Sequence, residues 1–174
     1  MSSRDTLYAE AVAEYGPALS RLARAYEADA EKRQDLLQDI HLQLWRSLDS
    51  FDGRCSLRTW IYRIAHHTAT SHVIRERRTY ASLVSLEAID NPPEQPSADD
   101  TIHRQDALER LSAIIQQLKP LDRQVIVSYL EGLDAAATAE ITGLSPANVA
   151  MKIHRIKNML ARRFRAQGGS RHAG

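Results

Sequence analysis

The sequence predicts an all-α protein made of two small helical domains joined by a flexible linker. Apolar residues recur at three-to-four spacing almost everywhere, and no stretch alternates polar and apolar residues between hairpin turns. Between Thr79 and Thr101 the run SLEAIDNPPEQPSADD sets Pro92, Pro93 and Pro96 among small and acidic residues, the composition of an extended connector. With 174 residues, 43% of them hydrophobic, the chain can bury one large core or two small ones. The expected division is 1–78 and 104–166 for the domains, 79–103 for the linker and 167–174 for a disordered tail.

The first half is expected to hold four helices, three of which can be bounded. Leu7 to Ala28 aligns Leu7, Ala11, Tyr15, Ala18, Leu22, Ala25 and Tyr26 on one face, with Gly16 and Pro17 as a break or kink. Lys32 to Leu48 buries Leu36, Leu37, Ile40, Leu44 and Leu48. Its opposite face carries Asp35, Gln38, Asp39, Leu42, Gln43 and Arg46, which is equally a solvated face or a docking surface for a basic partner. Ser56 is an N-cap for a long third helix, SLRTWIYRIAHHTATSHVIRERR, with Leu57, Ile61, Ile64, Ala65 and Thr68 facing inward. On it Trp60 and Tyr62 stand among Arg58 and Arg63, an interleaving that suits stacking of unpaired bases and holding of phosphates, although aromatics at helical spacing more often serve a core.

Helix signals resume from Arg104 to Gln117, stop before Pro120, and return through Val125, Ile126, Tyr129 and Leu130. Glu131 to Arg165 then reads as a helix-turn-helix. Asp134 caps a short alanine-rich helix, Gly143 supplies the left-handed residue that ends it, and Ser145 with Pro146 opens the second helix. In that helix Val149, Ile153, Ile156 and Leu160 form a buried stripe, while Asn148, Met151, Lys152 and Arg155 occupy the exposed side near its start. A recognition helix meets base edges and phosphates there. No acidic residue follows Glu140, and Arg162, Arg163 and Arg165 extend the basic run.

The net charge of +1 conceals a block pattern. Six arginines (54, 58, 63, 75, 77, 78) against Asp52 and Glu76 lie between Phe51 and Tyr80, whereas five acidic residues and no basic one lie between Ala81 and His103. The lone Cys55 excludes an internal disulfide and offers no metal-ligand spacing. His66, His67 and His72 lack the usual ligand spacing and are expected to face solvent or DNA. No cofactor is expected, and no catalytic arrangement has convincing spacing, so the chain is not expected to be an enzyme. There is no apolar run for a bilayer span and no signal peptide, which predicts a cytoplasmic protein without membrane insertion. The short tail after the last helix argues against an appended sensory domain.

On these motifs the chain resembles the extracytoplasmic function sigma factors of bacteria. DLLQDIHLQLWRSLDSF followed by SLRTWIYRIAHHTATSHVIRERR resembles the family's region two, and LKPLDRQVIVSYLEGLDAAATAEITGLSPANVAMKIHRIKNML its region four. The resemblance implies a promoter-specificity subunit of RNA polymerase. Asp35, Gln38, Asp39, Leu42 and Gln43 would dock on the clamp helices of the largest core subunit, with the flap of the second subunit as a further contact. Arg58, Trp60, Tyr62, Arg63, Arg75, Arg77 and Arg78 would read and open the minus-ten element. Ser145, Asn148, Met151, Lys152, Arg155 and Lys157 would meet the minus-thirty-five element, Arg155 and Lys157 chiefly through phosphate. An anti-sigma factor is implied as regulator. The sequence departs from the family at His67, Ser71 and Ala150, where asparagine, aspartate and a basic residue are usual. Thr138 and Thr142 replace apolar residues, which means either looser packing or a pairing surface for another protein. The competing reading is a stand-alone helix-turn-helix regulator whose first domain binds a protein or a small ligand.

Overall fold

The computed structural model describes residues 3–84 and 103–169, and every regular element among them is helical. The first unit comprises α1 (Ser3–Tyr26), α2 (Ala30–Ser47), a single 3₁₀ turn (Leu48–Ser50) and α3 (Leu57–Val84). It therefore has three α-helices rather than four. The second unit comprises α4 (His103–Gln116), α5 (Pro120–Leu130), α6 (Ala135–Thr142) and α7 (Pro146–Gly169).

α1 runs unbroken through Pro17. A proline in a helix interior removes one backbone hydrogen bond and costs about 3 kcal/mol. The turns that follow offset this by burying Ala18, Leu19, Leu22, Ala23, Ala25 and Tyr26 against the other helices. α2 starts at Asp29, whose Oδ1 accepts from the Lys32 amide at 2.9 Å, and it buries Leu36, Ile40 and Leu44. Ser56 opens α3 as expected, its Oγ accepting from the Thr59 amide at 3.1 Å.

α3 carries two buried stripes where the sequence suggests one. Ile61, Ala65 and Ala69 belong to the three-helix core that α1, α2 and α3 form together, and Thr68 is only half-buried. Tyr62 and His66 are also fully covered, and their hydroxyl and ring nitrogen bond to Glu131 and Ser128 at the end of α5. The two helical units are thus packed on one another, with α3 against α5 and α6 and α1 against α4.

α3 also runs six residues beyond Arg78, the expected end of the first domain, so the opening of the expected linker is helical backbone. The remainder of that acidic, proline-bearing segment, residues 85–102, lies outside the described residues. α7 continues to Gly169, into the expected tail, and residues 170–174 are likewise outside.

Candidate nucleic-acid interface

The helix-turn-helix is built by the predicted caps. Asp134 Oδ1 accepts from the Ala137 amide at 2.7 Å, Gly143 closes α6 at φ 77°, and Ser145 Oγ accepts from the Asn148 amide at 3.2 Å ahead of Pro146. Only glycine adopts that φ without penalty, so the turn angle between the helices is fixed locally. Thr138 is fully buried and donates to the Asp134 carbonyl at 2.8 Å, and Thr142 donates to the Thr138 carbonyl at 2.8 Å. The hydroxyls are satisfied inside the helix, and α6 rests on α3 of the same chain. The threonines therefore mark neither slack packing nor, in this arrangement, a face left open for another protein.

Val149, Ile156 and Leu160 anchor α7, with Ile153 partly buried beside them. The opposite side exposes Asn148, Met151, Arg155 and Lys157, Met151 at 54%. Lys152 is half-buried, its Nζ 2.6 Å from Asp122 Oδ1 on α5, and Lys157 Nζ is 3.2 Å from the Tyr129 hydroxyl. Of the six residues expected at the upstream element, Asn148, Met151 and Arg155 thus point outward, Ser145 serves as a cap, and the two lysines have internal partners.

The set expected at the downstream element divides in two. Arg75, Arg77 and Arg78 are exposed on the later turns of α3. The residues of the first turns have partners within the chain: Arg58 Nη2 donates to the Glu131 carbonyl at 2.6 Å, Tyr62 donates to Glu131 Oε2 at 3.2 Å, and Arg63 Nη2 donates to the Glu140 carbonyl at 3.3 Å. Tyr62 is 2% exposed, so no base can stack on it in this arrangement. Burial first, and then the Glu131 carboxylate, raise its pKa. Trp60 is partly buried, tilted against Phe51 with ring centroids 5.5 Å apart, and its Nε1 donates to Ser47 Oγ at 3.0 Å.

On α2 the positions 35, 38, 39 and 42 follow helical spacing and share one face, opposite Leu36, Ile40 and Leu44. Asp35, Gln38, Leu42 and Gln43 are exposed, and Asp39 approaches Arg75 of α3 at 3.8 Å. An open groove of about 630 Å³ runs between α2 and α3, lined by Asp39, Gln43, Arg46, His67, Ser71 and Arg75 among others. Both positions where region two departs from the expected family pattern, His67 and Ser71, therefore line one groove.

The joint between the units rests on residues that carry no sequence signal. His66 is fully buried, its Nδ1 2.8 Å from the Tyr26 hydroxyl and its Nε2 3.2 Å from the Ser128 hydroxyl. His72 is buried too, its Nε2 2.8 Å from Glu27. These two histidines are structural and do not face solvent or DNA; of the three on α3, His67 is the exposed one. Desolvation is offset for each by a hydrogen-bond partner that sequence spacing cannot reveal. Among the described residues no cluster of three or more histidine, cysteine or acidic side chains is arranged to hold a metal. Arg123, 2% exposed, donates to the backbone carbonyls of Gln116, Leu118 and Tyr26. Burial lowers its pKa, and among the described residues the acceptors that hold it are backbone carbonyls.

Family comparison agrees with this layout. The family model for Sigma-70 region 2 matches residues 11–79, and that for Sigma-70, region 4 matches residues 108–160. The chain is 25% identical to the RNA polymerase sigma factor CnrH of Cupriavidus metallidurans over 92% of its length and 87% of that protein's. It is 24% identical to the ECF RNA polymerase sigma factor SigW of Bacillus subtilis over 91% of its length and 89% of that protein's. The chain belongs to the extracytoplasmic function sigma factor family.

In this sigma factor region 2 falls on α1 to α3, and region 4 begins within α4 and ends within α7. The fold is also that of the sigma factor RpoE in complex with the anti-sigma factor NepR from Bartonella quintana. That match has a TM-score of 0.66 at 22% identity, over 89% of this chain and 94% of that one. No described helix is long and apolar enough to cross a membrane.

Proposed function

We propose that this sigma factor docks on core RNA polymerase through the exposed face of α2 and reads a two-part promoter with α3 and α7. In this reading Asp35, Gln38, Asp39, Leu42 and Gln43 meet the clamp helices of the largest subunit, while region 4 sits near the flap of the second. Arg58, Trp60, Tyr62, Arg63, Arg75, Arg77 and Arg78 serve the minus-ten element, and Asn148, Met151, Lys152, Arg155 and Lys157 the minus-thirty-five element, with Ser145 capping the recognition helix. The observation that carries the reading is the joint presence, in one chain, of a capped helix-turn-helix with an outward basic helix and of an exposed carboxylate, amide and leucine face on α2.

Each DNA module alone makes few contacts and binds weakly. Holding both on one polymerase turns the second contact into an intramolecular event and raises its effective concentration. Lys152 and Lys157 must exchange Asp122 and Tyr129 for phosphate, which makes them weaker contributors than Arg155. Control by an anti-sigma factor belongs to the same proposal, supported by the RpoE and NepR complex, whose sigma chain has the same fold.

The test is transcription from a genomic fragment library by core polymerase lacking any sigma factor, with and without the purified chain. The expected result is a set of chain-dependent start sites sharing two upstream elements. DNA binding by the chain with no chain-dependent transcript from any template would favour the stand-alone regulator instead.

A further inference from the structure

α7 runs on past the region to which it belongs. The region 4 match ends at residue 160, yet the helix continues to Gly169. These last turns are fastened to α4 from one side. The Arg110 guanidinium lies over the Phe164 ring, 4.5 Å from its centroid, and donates to the Phe164 carbonyl at 3.2 Å. Arg163 leans the same way, its Nη1 donating to Gln117 Oε1 at 3.2 Å. Arg162 and Arg165 are exposed, and neither meets an acceptor among the described residues. With Met151, Arg155 and Asn158 they form one line along the helix, at spacings of four, three, four and three residues, and every member is exposed. The side that points outward at the start of α7 therefore continues in register to its end.

Two simpler explanations of these arginines fall short. The helix dipole favours cations at a C-terminus only within the last turn, and Arg162 stands seven residues before Gly169. A protein partner would require apolar anchors, and past Met151 no large hydrophobic side chain is exposed among the described residues. No acidic residue follows Glu140, so the end of α7 presents guanidinium groups without competing carboxylates, which suits phosphate oxygens. Length decides which phosphates. At about 1.5 Å per residue, Arg162 and Arg165 stand about 10 and 15 Å along the axis from Arg155. The major groove is about 12 Å wide. With residues 148–155 in the groove, these two arginines reach its rim, where the phosphate row runs.

We propose that Arg162 and Arg165 form a second DNA contact, on duplex phosphates flanking the upstream element and outside region 4. This rests on the functional reading given above, which puts the start of α7 in the groove. The contact ignores base identity, so it adds affinity at every promoter the chain reads and leaves selection to Asn148 and Met151. A poor match to the upstream element is thereby tolerated better than region 4 alone would allow.

The test uses the full chain in four forms: wild type, Arg162→Ala with Arg165→Ala, Arg162→Lys with Arg165→Lys, and Arg155→Ala. Fluorescence anisotropy across a salt series, on a mixed-sequence duplex several helical turns long, gives the slope of log affinity against log salt. The double alanine variant is expected to lower that slope by about 1.8, two phosphates at about 0.9 each, with the melting temperature unchanged. The double lysine variant is expected to keep the wild-type slope, since an ammonium also holds phosphate. A double alanine variant with the wild-type slope overturns the proposal and leaves an acidic protein surface as the occupant of this end. A slope that falls equally in the lysine variant reports lost packing in place of lost charge and overturns it too. Arg155→Ala separates the proposal from the reading beneath it. A slope lowered there but not in the double alanine variant removes the flanking contact alone, whereas no change in either removes α7 from DNA and the functional reading with it.

Discussion

Replacing His66 by glutamine tests whether the joint between the units is a dry network of neutral groups. The imidazole is fully buried, bonded to Tyr26 of α1 and Ser128 of α5 and packed beside Tyr62 and His67 of α3. Burial, with a smaller contribution from His67, lowers its pKa from 6.5 to about 3. Between those two values the unfolded chain takes up a proton that the folded chain refuses. The stability contributed by neutral His66 is therefore complete above pH 6.5 and falls as the pH drops toward about 3. Each pH unit inside that window removes stability on the order of 1 kcal/mol, so roughly 1 kcal/mol is lost between pH 7.5 and 5.5 and roughly 3 kcal/mol by pH 4.5. Carboxylates and the other histidines titrate as well, and the informative quantity is the difference between wild type and His66→Gln. Urea unfolding of both proteins at the three pH values gives it. Glutamine retains a donor and an acceptor without a titrating group, so the wild-type advantage at pH 7.5 should shrink by those amounts. Stability profiles that run parallel from pH 7.5 to 4.5 would refute the argument.

Asp39→Ala should weaken core polymerase binding about tenfold, as loss of a charge-assisted hydrogen bond does, while region 4 binding to DNA is unchanged. Its approach to Arg75 at 3.8 Å is exposed and adds little to the fold, so a drop in thermal stability in place of affinity would count against the docking face. Arg155→Ala should lower the slope of log affinity against log salt for the minus-thirty-five element by about 0.9, the share of one phosphate, with no change in melting temperature. An unaltered slope removes Arg155 from the phosphate contacts. Asp134→Ala should cost about 1 kcal/mol and lower the melting temperature by about 2 to 4 °C, since its Oδ1 caps α6 at 2.7 Å. A calorimetric scan that leaves the midpoint in place would show that the cap is dispensable.

What the sequence displays is local. Ser56, Asp134, Gly143 and the Ser145 and Pro146 pair mark their helix ends because a cap depends only on residues within one turn. The buried stripes of α2 and α7 are legible for the same reason, since periodicity survives without knowledge of the partner. The packing of the units on one another is not legible. It is made by polar pairs such as Arg21 with Glu131 and His66 with Ser128, far apart in sequence, and each of those side chains alone reads as a solvated one. Tyr62 shows the limit most clearly: an aromatic between two arginines fits a base-stacking platform, and only the approach of Glu131 reveals it as buried. Pro17 shows the converse, because tertiary burial carries α1 through a residue that local rules treat as a break.

The central claim is that one chain, held on polymerase, reads two DNA elements at once. Run-off transcription by core polymerase and this chain, from a chain-dependent promoter whose spacer between the two elements is lengthened in single base pairs, tests it directly. Adding about five base pairs turns the upstream element by about half a helical turn, away from α7. The account predicts that transcription collapses there, while the isolated upstream element binds region 4 as before. Transcription that is indifferent to the spacer would contradict it.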